Sequence, residues 1–345
     1  RIRKVLEEFV RAGAEPEILY RHKPHIGTDR LRELVRNLRS HIEKLGGEIR
    51  FRSRMDDIHT ESGADGLRRL RAIDVTNLAS GRSRTLPAEV LILAAGHSAR
   101  DTFSMLLGRG AAMEQKPFSI GVRIEHPQEM IDRAQYGDPA LADMIGAAEY
   151  KLSHKCGNGR GVYTFCMCPG GEVIDASTEK ETRVTNGMSN SARDGKYANS
   201  GLLVDVQTGD LGEGPLAGIE FQRKYERLAW ENEAVSTYGQ FRNDEADPVR
   251  RSLPDFAAEA ILEAMPHFGK KLTGFDRADA KMTAVESRSS SPVRILRDNN
   301  MQSNIRGLIP AGEGPGYAGG IMSAAVDGIK AAERVIWDLV EQGEE

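Results

Sequence analysis

A mixed α/β fold, one α/β domain interrupted by an insertion, is what this sequence predicts, and three observations predict it. An apolar run at 88–95 (AEVLILAA) and another at 307–311 (GLIPA) each end in a glycine turn followed by a helix-forming stretch. From about Pro117 to Ala280 the texture changes, and Gly, Pro, Asn and Ser become frequent. The length of 345 residues fits about two domains of roughly 100–200 residues each. The expected division is 1–114 for the first segment of the α/β domain, 115–280 for the insertion and 281–345 for the second segment.

Along the chain, 2–12 reads as a helix stopped by Gly13. Thr28 is placed to cap a helix over 29–45, where Leu31, Leu34, Val35, Leu38, Ile42 and Leu45 recur at helical spacing. Residues 48–54 alternate as a strand, and 68–78 with 82–86 predict a polar-tipped β-meander. The continuous run 88–95 is expected to be a strand covered on both faces, with Ser98 or Asp101 opening the next helix. Within the insertion, 162–167 and 172–176 flank the turn Cys168-Pro-Gly-Gly171 and predict a hairpin. Helices are expected over 221–238 and over 255–265, the second between Pro254 and Pro266; Asn186-Gly187 and 199–201 read as turns.

The most informative stretch is 307–330, GLIPAGEGPGYAGGIMSAAVDGIK. Glycines at 312, 314, 316, 319 and 320 let the backbone pass close to a ligand, since none carries a Cβ. The following helix turns its unpaired N–H groups and positive end into that gap, ready for an anion or an electron-rich ring edge. Gly314, Gly316 and Gly319 fit the dinucleotide fingerprint formally. That fold needs a second strand with an acid about 20 residues on. Here the acids at that range, Asp338 and Glu341, lie in or after the same helix. A P-loop is excluded too, because no Lys-Ser or Lys-Thr follows the glycines. The stretch therefore reads as a strand–turn–helix completing a nucleotide-cofactor site begun earlier in the chain; the plainer alternative is a glycine-rich loop capping an amphipathic helix.

Apolar content of 39% and charged content of 28% describe a soluble globular chain, and a net charge of −4 offers no polycation for nucleic acid. The longest apolar run, 90–95, is too short to span a bilayer, and the first residues lack the apolar region of a signal peptide. Three cysteines make no disulfide scaffold, so a reducing cytoplasm is expected. A first residue of Arg rather than Met reads as a chain whose natural N-terminus is missing.

The segments KPHIGTDRL (23–31), LILAAGHSAR (91–100), TFCMCPGGEV (164–173), VESRSSSPVR (285–294) and PAGEGPGYAGGIMSAAVDG (310–328) resemble bacterial FAD-dependent dehydrogenases described as uncharacterised or NAD(FAD)-utilising. These belong to the glutathione-reductase-like flavoprotein superfamily. The resemblance spans most of 1–340 and rests chiefly on the long last motif. It implies an FAD/NAD(P)-binding three-layer fold carrying an inserted α+β substrate domain. The first βαβ unit with GxGxxG is absent, since no such motif precedes Gly13. By the match, Ala94-Ala95-Gly96 stands for the element beside the cofactor, and Ala311-Gly312-Glu313 for the turn at the ribityl chain and flavin. The implied FAD contacts are Ala95, Gly96, Gly312, Glu313, Gly314, Gly316, Tyr317, Gly319, Gly320 and Ile321.

On that resemblance, amides near Gly320 and Ile321 would face the flavin edge where negative charge accumulates, by oxyanion-hole logic. Arg288 is the candidate cation, pairing with the reduced ring, clamping a substrate carboxylate, or forming an ion pair with Glu286 or another acid. His25 and His97 are candidate acid–base groups or simply satisfied polar residues. Cys166 and Cys168 project from one strand face and could be redox or substrate-contacting thiols, buried hairpin thiols, or part of a zinc set with His154 and Cys156. No bound metal is expected. The expected activity is hydride transfer between flavin N5 and a small organic substrate, with NAD(P)H as a further electron donor or acceptor. A flavin- or nucleotide-sensing protein and a tRNA-modifying flavoprotein are the alternatives. Neither a nucleic-acid partner nor a membrane is expected.

Overall fold

Strands Phe118–Pro127 and Tyr197–Val206 carry unbroken runs of buried residues, as befits central strands covered on both faces. In the computed structural model, which describes residues 1–21 and 25–343, they pair antiparallel at the middle of a six-stranded sheet. Lys281–Glu286 and the edge strand Val235–Thr237 continue the sheet on one side, and Gly161–Cys168 and Ser153–Lys155 on the other. Helix Asp255–Lys271 lays Ala257, Ile261, Ala264, Met265 and Phe268 into a core shared with Val122, Ile124, Leu202 and Val204. This sheet runs from 118 to 286, so its strand Lys281–Glu286 passes the expected boundary at 280.

The flanking segments build a second, smaller core around Ile58, Leu70, Leu93, Phe103, Leu106 and Leu308. Ser53–Ser62, Arg68–Asn77 and Ser83–Pro87 form the expected meander. Leu91–Leu93 and Leu308–Pro310 pair in parallel, although more than 200 residues apart in sequence. Met113–Gln115 and Val293–Ile295 pair where the chain enters and leaves the large sheet.

Several elements differ from the sequence expectation, each for a local reason. The first meander strand starts at Ser53, not 48, because Arg52 turns the chain with φ +50°. The run 88–95 yields a strand only over Leu91–Leu93, leaving Val90 and Ile92 exposed, because it pairs along one edge alone. Gly161–Cys168 and Glu172–Asp175 are not a hairpin; the second pairs with Thr185–Met188, while the Gly171 N–H donates to Tyr197 O. The helix expected to 238 ends at Glu231, and Glu233 (φ +49°) redirects the chain into strand Val235–Thr237. Pro266 lies inside its helix, whose buried face continues to Phe268 and offsets the lost hydrogen bond. Residues 199–201 are interior to a strand rather than a turn.

Thr28 does not cap its helix, Thr28–Lys44; its hydroxyl donates to Ser189 O at 3.3 Å. The helix start is instead tied to the large domain through Asp29, which accepts from Ser191 N and Oγ at 2.8 and 2.7 Å. Lys23 and Pro24 of the KPHIGTDRL motif, and Glu344 and Glu345 of the acidic terminus, lie outside the described residues.

Candidate functional site

The parallel pair delivers both glycine turns to one place. After Leu93 O accepts from the Ala311 N–H at 2.9 Å, the chains at 94–96 and 311–314 run out side by side. A Cβ on Gly314 would lie 2.7 Å from Gly96 O, so only glycine permits this approach. Asp327, on the terminal helix Ile321–Gly343, reaches back to accept from the Gly312 N–H at 2.8 Å and from Arg297 at 2.7 and 2.8 Å. Burial opposes its charge, but the Arg297 guanidinium and the Gly312 amide together hold its carboxyl below the ordinary value. Arg297 also covers the Tyr317 ring at 3.7 Å, and its N–H donates to the Tyr317 hydroxyl. Ser291 Oγ donates to Gly314 O at 2.7 Å. The elbow is thus braced by Arg297, Asp327 and Ser291.

The last two glycines are different. A Cβ on Gly319 or Gly320 would meet nothing within 4 Å, and neither residue has a positive φ. Neither packing nor backbone conformation calls for glycine there, so a flat group approaching from outside has room against the main chain. Ile321, the first residue of the helix, is 63% exposed beside that gap. His97 faces Glu313 across 3.4 Å, and the buried His97 Nδ1 has no hydrogen-bond partner among the described residues.

A cavity of 330 Å³ opens at the same helix start, lined by His25, Cys166, Cys168, Arg193, Ile321 and Met322 among others. Its size suits a small-molecule site. A second cavity, of 620 Å³, runs along the other side of Met322 past Tyr317 and Lys330; Leu6, Ile18 and Met322 line both. A third, of 410 Å³, lies between the meander and the far end of the terminal helix, away from these groups. Burial lowers the pKa of His25, whose Nε2 lies 3.2 Å from Asn190 O, which favours its neutral form. Cys166 is exposed, with φ +43° at a bulge in its strand. Cys168 is buried behind it and donates to Cys166 O.

Of the sequence candidates, the structure therefore brings together Gly96, His97, Glu313 and Gly314 at the elbow, and His25, Cys166, Cys168 and Ile321 at the cavity. Gly312, Gly316 and Tyr317 belong to the elbow's braced side, whereas Ala95 is exposed. Arg288 is not a free cation. It pairs with Glu226 at 2.9 and 3.0 Å and donates to Ser98 Oγ at 3.2 Å, supporting the turn that carries His97. Glu226 is fully buried and also receives Arg100 at 2.7 and 2.8 Å. Burial would raise its carboxyl, but the two guanidiniums hold it at about 2. Glu286, the acid nearest Arg288 in sequence, is bound instead by the buried Arg123. His154 and Cys156 do not join Cys166 and Cys168; they meet Glu263, with His154 Nε2 3.2 Å from its carboxylate.

Residues 117–244 and 241–289 match the family described as "FAD-dependent protein, C-terminal domain-like". The chain belongs to this family. An uncharacterised protein of Clostridium beijerinckii is similar at 43% identity over 96% of this chain, which spans 65% of that relative's length. Two solved structures show slight likeness. One is the substrate-free rebeccamycin biosynthetic enzyme REBC, with TM-score 0.27 and 14% identity over 57% of this chain and 30% of that one. The other is RebC-10x, with TM-score 0.23 and 16% identity over 53% and 26%. Likeness at that level carries no argument. No helix among the described residues of this FAD-dependent family member is long and apolar enough to cross a membrane.

Sequence reasoning missed the residues that brace the site: Arg100, Glu226, Arg123, Arg297 and Asp327. Two of them carry a local signal. Arg100 closes the segment LILAAGHSAR, and Asp327 sits one turn past the small residues Ala324 and Ala325 of the last motif. Glu226 has none, because its partners lie 126 and 62 residues away.

Proposed function

We propose that this chain forms the flavin- and substrate-facing part of an FAD-dependent oxidoreductase acting on a small organic molecule. The single observation that carries the reading is the pair Gly319 and Gly320, open at a helix start beside a cavity that holds titratable side chains. The orphaned Nδ1 of His97 fits the same cofactor, offering a buried polar atom for a sugar or ribityl hydroxyl. Family membership supports FAD over other nucleotides.

In this reading, 1–114 and 281–345 hold the cofactor, and 115–280 with the rest of its last strand shapes the substrate side. Gly320 and Ile321 turn main-chain N–H groups toward an electron-rich ring edge, at the positive end of a 23-residue helix. Glu313 accepts from cofactor hydroxyls, with His97 behind it. His25, largely neutral, stands in the cavity wall as a proton donor or acceptor. The Arg288–Glu226–Arg100 cluster positions the 96–100 turn rather than touching the reacting atoms. Bound there, FAD supplies two-electron hydride chemistry, and NAD(P)H is the proposed external electron partner.

The full-length protein should purify with the visible absorption bands of oxidised flavin and bleach on addition of NADH or NADPH. Gly320→Leu should lower flavin content at least about tenfold, since a side chain would fill the open gap. A colourless full-length protein that takes up no added FAD would overturn the reading.

A further inference from the structure

The strand Gly161–Cys168 carries a local irregularity with a chemical consequence. Phe165 pairs with Gly201 and Cys168 with Asn199, so Cys166 and Met167 together oppose the single residue Ser200. This is a β-bulge, and Cys166 at its apex takes a left-handed conformation (φ +43°) that a non-glycine residue rarely adopts. The bulge is held from beneath. Arg123, fully buried, donates to Cys166 O at 2.8 Å and to Asn199 Oδ1 at 3.1 Å while paired with Glu286. Such support lets a strained backbone persist, and strain of this kind concentrates at functional positions.

The bulge sets two thiols at the 330 Å³ cavity in unlike surroundings, Cys166 outward and Cys168 covered. Cys168 Sγ donates to Cys166 O at 3.4 Å, so the covered thiol lies against the backbone of the outward one. The neighbouring Cys168 and, against burial, the Arg123 guanidinium hold the Cys166 thiol below its ordinary value, while the same contact and burial raise Cys168. Cys156, in a different strand connection, is buried and pushed up to about 11.

We propose that Cys166 and Cys168 are a redox-active dithiol, Cys166 attacking and Cys168 resolving, and that the cavity admits a small disulfide as the substrate exchanging electrons with them. The Cys166 thiolate attacks one sulfur of RSSR, forming a mixed disulfide and releasing RS⁻. Cys168 then loses its proton and attacks the Cys166 sulfur, releasing the second RS⁻ and closing Cys166–S–S–Cys168. One disulfide is consumed, two thiols are formed after protonation, and the protein pair is oxidised by two electrons. One hydride equivalent from a hydride donor reopens the bond as a thiolate and a thiol. The return step rests on the flavin reading above; the exchange step does not.

The test is a thiol count on the full chain exposed to hydroxyethyl disulfide, then alkylated under denaturing conditions and weighed intact and as peptides. The expected product has one alkylated cysteine, Cys156, and a peptide containing residues 166 and 168 that is two hydrogens lighter than its reduced form. Cys168→Ser should trap the mixed disulfide on Cys166, and Cys166→Ser should slow oxidation at least about tenfold. Three alkylatable thiols after exposure, or an adduct that stays on Cys166 in the unaltered chain, would overturn the proposal. The count needs no flavin. A colourless chain that loses both thiols sinks the flavin site alone, and a yellow protein whose thiols stay free sinks the dithiol alone.

Discussion

The six-stranded domain and the terminal strand–elbow–helix solve opposite problems. In the first, Val122, Ile124, Leu202, Ile261 and Phe268 are fully buried, and the core closes on itself. In the second, Ile321, Ile336, Trp337, Leu339 and Val340 stand exposed along one helix, and the last glycines face open space. The first region is closed and the second open. What joins them is charge: Glu226 from the domain clamps Arg100 and Arg288, which support the turn beside the elbow.

The severest way to break this arrangement is to remove the clamp. Glu226→Ala takes from Arg288 the carboxylate it pairs with and leaves the buried Arg100 with Glu179 alone, and should cost about 3–5 kcal/mol in urea unfolding. An unchanged midpoint would show that the two regions are not coupled through it.

A matched pair of truncations sharpens the contrast. Phe268→Ala, in the closed core, should cost about 3–4 kcal/mol. Trp337→Ala, at 63% exposure, should stay within about 0.5 kcal/mol. Equal losses would mean that the terminal helix carries as much of the fold as the domain does.

A pH response confined to the domain tests the closed side of the contrast at a single side chain. His126 is buried, its Nε2 2.7 Å from Phe275 O and its Nδ1 without a partner among the described residues, and burial lowers its pKa from 6.5 to about 4. Between those values the unfolded chain binds a proton that the folded chain refuses, so stability falls as pH drops from 6.5 toward 4. The contribution is up to about 3 kcal/mol and is fully present above the unfolded value. His126→Asn should flatten this part of the stability–pH curve.

Legibility from sequence followed the range of the forces involved. The helices at 2–11 and 28–44, the meander and the elbow were readable because periodicity and turn glycines act within a few residues. The supposed hairpin around Cys168 was misread because its turn was right but its pairing was not. Which strand a segment joins depends on edges formed elsewhere, here by Thr185–Met188 and Tyr197–Val206. The strand Val235–Thr237 was hidden inside an apparent helix for the same reason. Asn199 looked like a turn residue by composition, yet it serves as a buried acceptor for Arg123.

The sequence by itself determined the glycine elbow, the α/β alternation and the inserted texture, because these follow from local backbone freedom and apolar spacing. Only the tertiary structure decided that Gly96 would touch Gly314, that Glu226 would hold two arginines, and that His25 and Cys166 would share a cavity. Those meetings join residues from 62 to 218 positions apart. Burial and charge pairing act on distance in space, which chain order does not encode.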